Sequence, residues 1–156
     1  MNRRVSAIVQ ALEEGERRLA DDLRATARRH RDDHEVHHVA HDLARWSDEH
    51  SRRLAEAVGA DVASDGSGPP DLPPAPPRAS ASDDPALRLL EDLRALHQAV
   101  AGNCAYWLML SQAAEASHDS RLLDLVGLGR PRALRQLDWT KAMMTSQSPQ
   151  ILTTPP

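Results

Sequence analysis

The chain has 156 residues, a formal net charge of −4 and no phenylalanine. A core without phenylalanine must be built from leucine, alanine, valine and methionine, which favours helices packed on helices. The net negative charge argues against a nucleic-acid-binding function. The single cysteine, Cys104, excludes a disulfide or a cysteine zinc cluster within one chain. We expect one cytoplasmic domain with no membrane association, since the longest apolar run, residues 104–110, is too short to cross a bilayer.

The first predicted helix covers residues 3–30. Apolar residues recur along it at steps of three or four, from Val5 to Leu23. Glu16 stands on this apolar stripe, where an apolar residue is expected. Gly15, next to Glu16, weakens the helix, and a close crossing with another helix would explain a glycine at this position.

The second predicted helix covers residues 34–58, with Asp32 or Asp33 as its N-cap and Gly59 as its end. Its apolar stripe contains two polar residues, Ser47 and His50. Trp46 lies beside the stripe, where it can seal a helix–helix contact or a dimer.

A proline-rich segment, residues 60–84, follows the second helix. It carries too little apolar mass for a core element, so we expect a polyproline-like connection. A plain linker and a docking site for a proline-recognising partner both fit this composition. The segment is long enough to return along the length of a bundle, which permits an up-down-down-up order of helices.

The third predicted helix covers residues 85–116 and starts at Asp83 or Asp84 with Pro85 in its first turn. His97 is the polar residue on its stripe, and Cys104 on the same stripe reads as a buried, inert thiol.

The fourth predicted helix covers residues 120–146, begins after Asp119 and is broken at residues 127–131. We expect an extended tail after it. The residues predicted to face inward after the break are Leu134, Leu137, Thr140 or Lys141, and Met144.

Two long helices, a long crossover and two further helices resemble the ferritin-like superfamily. There, a di-iron site takes a Glu from one helix of each pair and a Glu-x-x-His from the other. Glu16 matches the first Glu, and Ser47-Asp48-Glu49-His50 takes the place of the Glu-x-x-His, with Ser47 where the bridging Glu should be. The second pair offers His97 but no carboxylate at that level and no Glu-x-x-His. The resemblance therefore implies an all-α four-helix bundle, up-down-down-up with a long Pro-rich crossover between helices 2 and 3, without a complete di-iron site.

Two interpretations of these central residues stay open. Glu16, His50 and His97, with Ser47, could together hold one Fe or Zn ion with an open coordination position. The same residues could instead form a buried polar network that needs no metal.

A second group of histidines shares one face at the start of the second helix: His34, His37, His38 and His41. An i, i+4 histidine pair can chelate a transition metal, so this face is a candidate surface metal or pH-sensing site. A solvated surface explains it equally well.

From these residues we predict a non-catalytic helical bundle that acts by binding one transition-metal ion or a protein partner, including a second copy in a homodimer. The alternatives are a mononuclear metal-dependent or redox enzyme that uses the Glu16/His50/His97 pocket, and a purely structural oligomerising scaffold.

Overall fold

The computed structural model describes residues 1–65 and 82–155. This part of the chain contains four helices and no strand: α1 (Arg3–Arg29), α2 (His34–Asp65), α3 (Pro85–Ser117) and α4 (Ser120–Thr153). The prediction of an all-α four-helix bundle is confirmed.

Each helix is preceded by an asparagine or aspartate whose side-chain oxygen accepts a hydrogen bond from an amide of the first turn. The four residues are Asn2, Asp33, Asp84 and Asp119, with donor–acceptor distances of 3.0, 3.0, 2.9 and 3.1 Å. Such caps satisfy amide N–H groups that have no partner within the helix. The predicted caps Asp33, Asp84 and Asp119 are confirmed, so local sequence sets the helix starts.

The predicted end of the second helix is wrong. Gly59 does not end α2, which continues to Asp65. Residues 60–65 of the predicted linker 60–84 are therefore helical, whereas residues 66–81 lie outside the described part of the chain. Glycine in a helix interior costs about 1 kcal/mol relative to alanine, which neighbouring turns can offset.

The predicted break in the fourth helix is also wrong, because α4 runs without interruption through residues 127–131. The predicted end at residue 146 and the extended tail are wrong as well, since α4 continues to Thr153. Most of its buried face is shifted by one residue from the prediction, although Thr140 is buried as predicted. Ala133, Gln136, Thr140 and Met143 are buried, whereas Leu134 is 43% exposed.

Contact with Trp107 explains this shift. A Cβ atom at Gly129 would lie 2.2 Å from Cη2 of Trp107, so the indole occupies the space that a side chain at position 129 would need. Ala133, one turn later, is also small and is completely buried. The face of α4 that is turned inward is therefore the one with room for the indole ring, although Leu134 is more apolar.

Helix α1 packs on α2 and α3, and α4 packs on α3 and α2. The α1–α3 crossing is close at Gly15, where an added Cβ atom would lie 2.3 Å from Oδ1 of Asn103. This contact agrees with the close helix crossing that was predicted from Gly15, and the crossing helix is α3.

The described residues form a core of three apolar clusters. The first draws on all four helices and includes Leu12, Leu54, Trp107 and Ala133. The second joins α1, α2 and α3, and the third joins α2, α3 and α4. On α1, the buried Glu16 lies between Leu12 of the first cluster and Leu19 of the second, and the polar groups at this level form a polar layer inside the core.

Within residues 1–65 and 82–155, no helix combines the length and the hydropathy that a membrane span requires. The cytoplasmic location stays a prediction.

Candidate functional site

The polar layer is built around Glu16 of α1, His50 of α2 and Trp107 of α3. Their exposures are 0, 1 and 0%. The indole Nε1–H of Trp107 donates a hydrogen bond to Oε1 of Glu16 at 2.8 Å. The imidazole of His50 meets the indole edge to face, with ring centroids 5.4 Å apart. Three helices thus bring a carboxylate, an imidazole and an indole together in the core.

The contact between Glu16 and His50 is less complete. Nδ1 of His50 lies 3.4 Å from Oε1 of Glu16, which is within ion-pair range but lacks hydrogen-bond geometry. Oε2 of Glu16 and Nε2 of His50 also have no hydrogen-bond partner among the described residues. Buried polar atoms are nearly always paired, because an unpaired one loses its hydration without compensation. These unpaired atoms of Glu16 and His50 are therefore able to bind a further partner.

Cys104 lies close enough to this layer for the Glu16 charge to act on it. Burial, and after it the negative charge of Glu16, raises the pKa of the Cys104 thiol to about 11. The thiolate is the reactive form of cysteine, so this thiol stays protonated and unreactive near neutral pH.

Ser47 is buried but takes part in a different contact. Its Oγ accepts a hydrogen bond from Nε2 of Gln136 at 2.9 Å, and the same amide nitrogen donates to the Leu43 carbonyl at 3.1 Å. Sequence reasoning missed Gln136, because Leu134 and Leu137 favoured the neighbouring face of α4. Its position between Ala133 and Thr140 at helical spacing was the available signal.

His97 is half-buried and hydrogen-bonds to Thr140 of α4. Its Nδ1 lies 2.8 Å from Oγ1 of Thr140, whose hydroxyl donates to the Leu137 carbonyl at 2.9 Å. Since that hydroxyl proton is used, Nδ1 of His97 must be the donor. The structure therefore joins Glu16 to His50 but gives Ser47 and His97 separate partners.

Among residues 1–65 and 82–155, no three histidine, cysteine, aspartate or glutamate side chains are placed to hold one metal ion. The predicted set of Glu16, His50 and His97 is thus reduced to the Glu16–His50 pair. A di-iron centre needs about four carboxylates and two histidines, and these residues do not fit it.

The surface histidines of α2 form a chain of ring contacts. The ring centroids are 4.3 Å apart for His34 and His38, and 5.0 Å apart for His37 with both His38 and His41. Nδ1 of His37 donates to the Ala27 carbonyl at 2.9 Å, which leaves Nε2 as its free acceptor. An i, i+4 pair of this kind can bind metal ions at the surface and must be controlled for in any metal measurement.

Trp46 is half-buried rather than free. It packs against the second apolar cluster, and the guanidinium carbon of Arg132 lies 5.8 Å from its ring centroid. Contacts within the chain therefore cover much of the Trp46 side chain.

Comparison of the chain with protein-family models, curated proteins and solved structures gave no significant match.

Proposed function

We propose that the protein is a non-catalytic helical bundle of ferritin-like architecture that binds one divalent transition-metal ion, Fe²⁺ or Zn²⁺, between Glu16 and His50. The proposal assigns binding rather than redox chemistry, because one carboxylate and one imidazole are a much smaller ligand set than a di-iron centre uses.

The ferritin-like part of the proposal is an up-down-down-up arrangement of helices. Arg29 and His30, at the end of α1, pair with Asp92 near the start of α3. Arg132 of α4 pairs with Glu49 of α2. The short turn between α1 and α2 supports an α2 that runs opposite to α1, and the Asp92 contacts support an α3 that does the same, which would make α2 and α3 parallel. Two parallel helices need a connection that spans the bundle, as in a ferritin-like fold.

The observation that carries the metal proposal is the set of buried atoms without partners. Trp107 donates to Oε1 of Glu16, whereas Oε2 of Glu16 and Nε2 of His50 have no hydrogen-bond partner among the described residues. Carboxylate oxygen and imidazole nitrogen are donors that Fe²⁺ and Zn²⁺ accept. The hydrogen bond from Trp107 would orient the carboxylate, as outer partners of metal ligands do.

The test is metal retention by the purified protein. We expect protein loaded with Zn²⁺, or with Fe²⁺ under anaerobic conditions, to keep one ion per chain after dialysis and to melt at a higher temperature than the metal-free form. Glu16→Gln retains an oxygen that can accept from Trp107 but removes the charge. It should weaken retention more than about tenfold, as should His50→Gln.

The matched control is the quadruple variant His34→Gln/His37→Gln/His38→Gln/His41→Gln, which removes both i, i+4 histidine pairs of the α2 surface and leaves the core intact. It should retain the ion as the unmodified protein does. Retention that survives Glu16→Gln and His50→Gln, or that disappears in the surface variant, would show that the core pair is a structural contact only.

A further inference from the structure

An apolar groove lies between α3 and α4, and neither Glu16 nor His50 lines it. It has a volume of about 360 Å³ and is lined by residues that include Glu115 of α3 and Leu123, Gly127, Arg130, Pro131 and Leu134 of α4. Leu123 and Leu134 are 38 and 43% exposed, and Leu108, one helical turn before the groove residue Ser111, is 46% exposed. Clustered exposed leucines on one face are typical of an interaction surface.

Two residues of this groove are not explained by packing within the chain. A Cβ atom at Gly127 would meet nothing within 4 Å, so no neighbour requires glycine there. Pro131, four residues later on the same face, lies in the interior of α4, where proline removes a backbone donor. Both residues weaken a helix, and both leave a shallow surface that the backbone of another helix can approach closely.

The charges of the groove are self-complementary. Glu115 stands on the α3 side and Arg130 on the α4 side. Within residues 1–65 and 82–155, neither side chain lies within ion-pair distance of an opposite charge, although Arg130 is half-buried. A two-fold axis through the groove would place each Arg130 against Glu115 of the partner subunit, and the same pair would form twice. One acid and one base per copy also leave the joined surface neutral.

We propose that the α3/α4 groove is the interface of a homodimer, in which the groove of one copy receives α4 of the second around Gly127 and Pro131. Leu108, Leu123 and Leu134 supply the apolar contacts, and Arg130 pairs with Glu115 of the partner subunit. This interface differs from the Trp46 contact that the sequence suggested, and it is independent of the metal proposal.

The test is the oligomeric state of the full chain, measured by analytical ultracentrifugation over a range of concentrations. The unmodified protein should sediment as a dimer that dissociates on dilution. Leu134→Glu introduces a charge at one of the two exposed leucines of the groove and should raise the dissociation constant by more than about tenfold. Leu152→Glu, at an exposed leucine of α4 that does not line the groove, is the matched control and should change nothing.

A charge exchange tests the orientation of the two copies. Glu115→Arg and Arg130→Glu should each weaken the dimer, because each places like charges together, and the double variant should restore it. Circular dichroism verifies that every variant is folded. A protein that is monomeric at all concentrations, or a dimer that is insensitive to Leu134→Glu and to the charge exchange, overturns the proposal.

Discussion

Trp107 is completely buried, and its indole ring occupies the space that a side chain at position 129 would need. The same ring donates its only polar hydrogen to Glu16. One residue of α3 thereby connects the packing of α4 to the polar layer between α1 and α2.

Gly129→Ala should lower the free energy of unfolding by about 1–3 kcal/mol, because the added methyl group overlaps the Trp107 ring. Gly102→Ala is the matched control. It lies within α3, and its added Cβ would meet nothing within 4 Å, so it should raise the free energy of unfolding by up to about 1 kcal/mol through helix propensity. Urea denaturation of the two variants measures both effects. Equal shifts in the same direction would contradict the close contact with Trp107.

Between elements, an ionic cluster connects the end of α1 to the start of α3. Asp92 accepts two hydrogen bonds from Arg29 at 2.9 Å and contacts Nε2 of His30 at 2.8 Å. Burial by itself raises the pKa of Asp92, but the hydrogen bonds with His30 and Arg29 outweigh burial and hold this pKa below its usual value.

Asp92→Asn should destabilise the protein by about 1–2 kcal/mol near neutral pH, where the native carboxylate is ionised and hydrogen-bonded. The folded-state pKa is lowered, so the carboxylate contributes stability above the unfolded pKa of about 3.9 and loses it as the pH falls through the folded value. The difference between variant and unmodified protein should therefore shrink below about pH 4 in denaturation curves.

Asp124→Asn, at an exposed carboxylate for which the described residues provide no ion pair, is the control for this measurement. An Asp92→Asn effect that is the same at every pH would show that the charge of Asp92 contributes nothing.

At the scale of the whole molecule, the relative direction of α2 and α3 distinguishes the ferritin-like arrangement from a simple up-and-down bundle. Positions 42, 94 and 112 are exposed and suit nitroxide labels in a Cys104→Ser background. If α2 and α3 run parallel, the distance from position 42 to position 94 is shorter than the distance from position 42 to position 112, because position 112 lies about 27 Å further along α3.

Electron–electron double resonance on the two doubly labelled proteins, Asp42→Cys/Arg94→Cys and Asp42→Cys/Gln112→Cys, measures these distances. Dilution with unlabelled protein suppresses signals between copies. The opposite order of distances would place α3 antiparallel to α2 and contradict the proposed ferritin-like topology.

Much of this architecture was readable from the sequence. Asp33, Asp84 and Asp119 marked three helix starts, and the apolar stripes of α1 and α2 correctly placed Glu16, Ser47 and His50 in the interior. These features depend on neighbouring residues, because a cap bonds within its own first turn and a stripe repeats every three or four positions.

The tertiary structure alone decided the face of α4, its continuity through Pro131, and the partners of the central polar groups. Leu134 and Leu137 favoured one face of α4, yet Trp107 needed the space at Gly129 and so turned Ala133 and Gln136 inward. His97 likewise bonds to Thr140, which lies 43 positions away in the chain. Local sequence cannot determine such choices, because they depend on which side chains of separate helices fill the same volume and satisfy the same buried atoms.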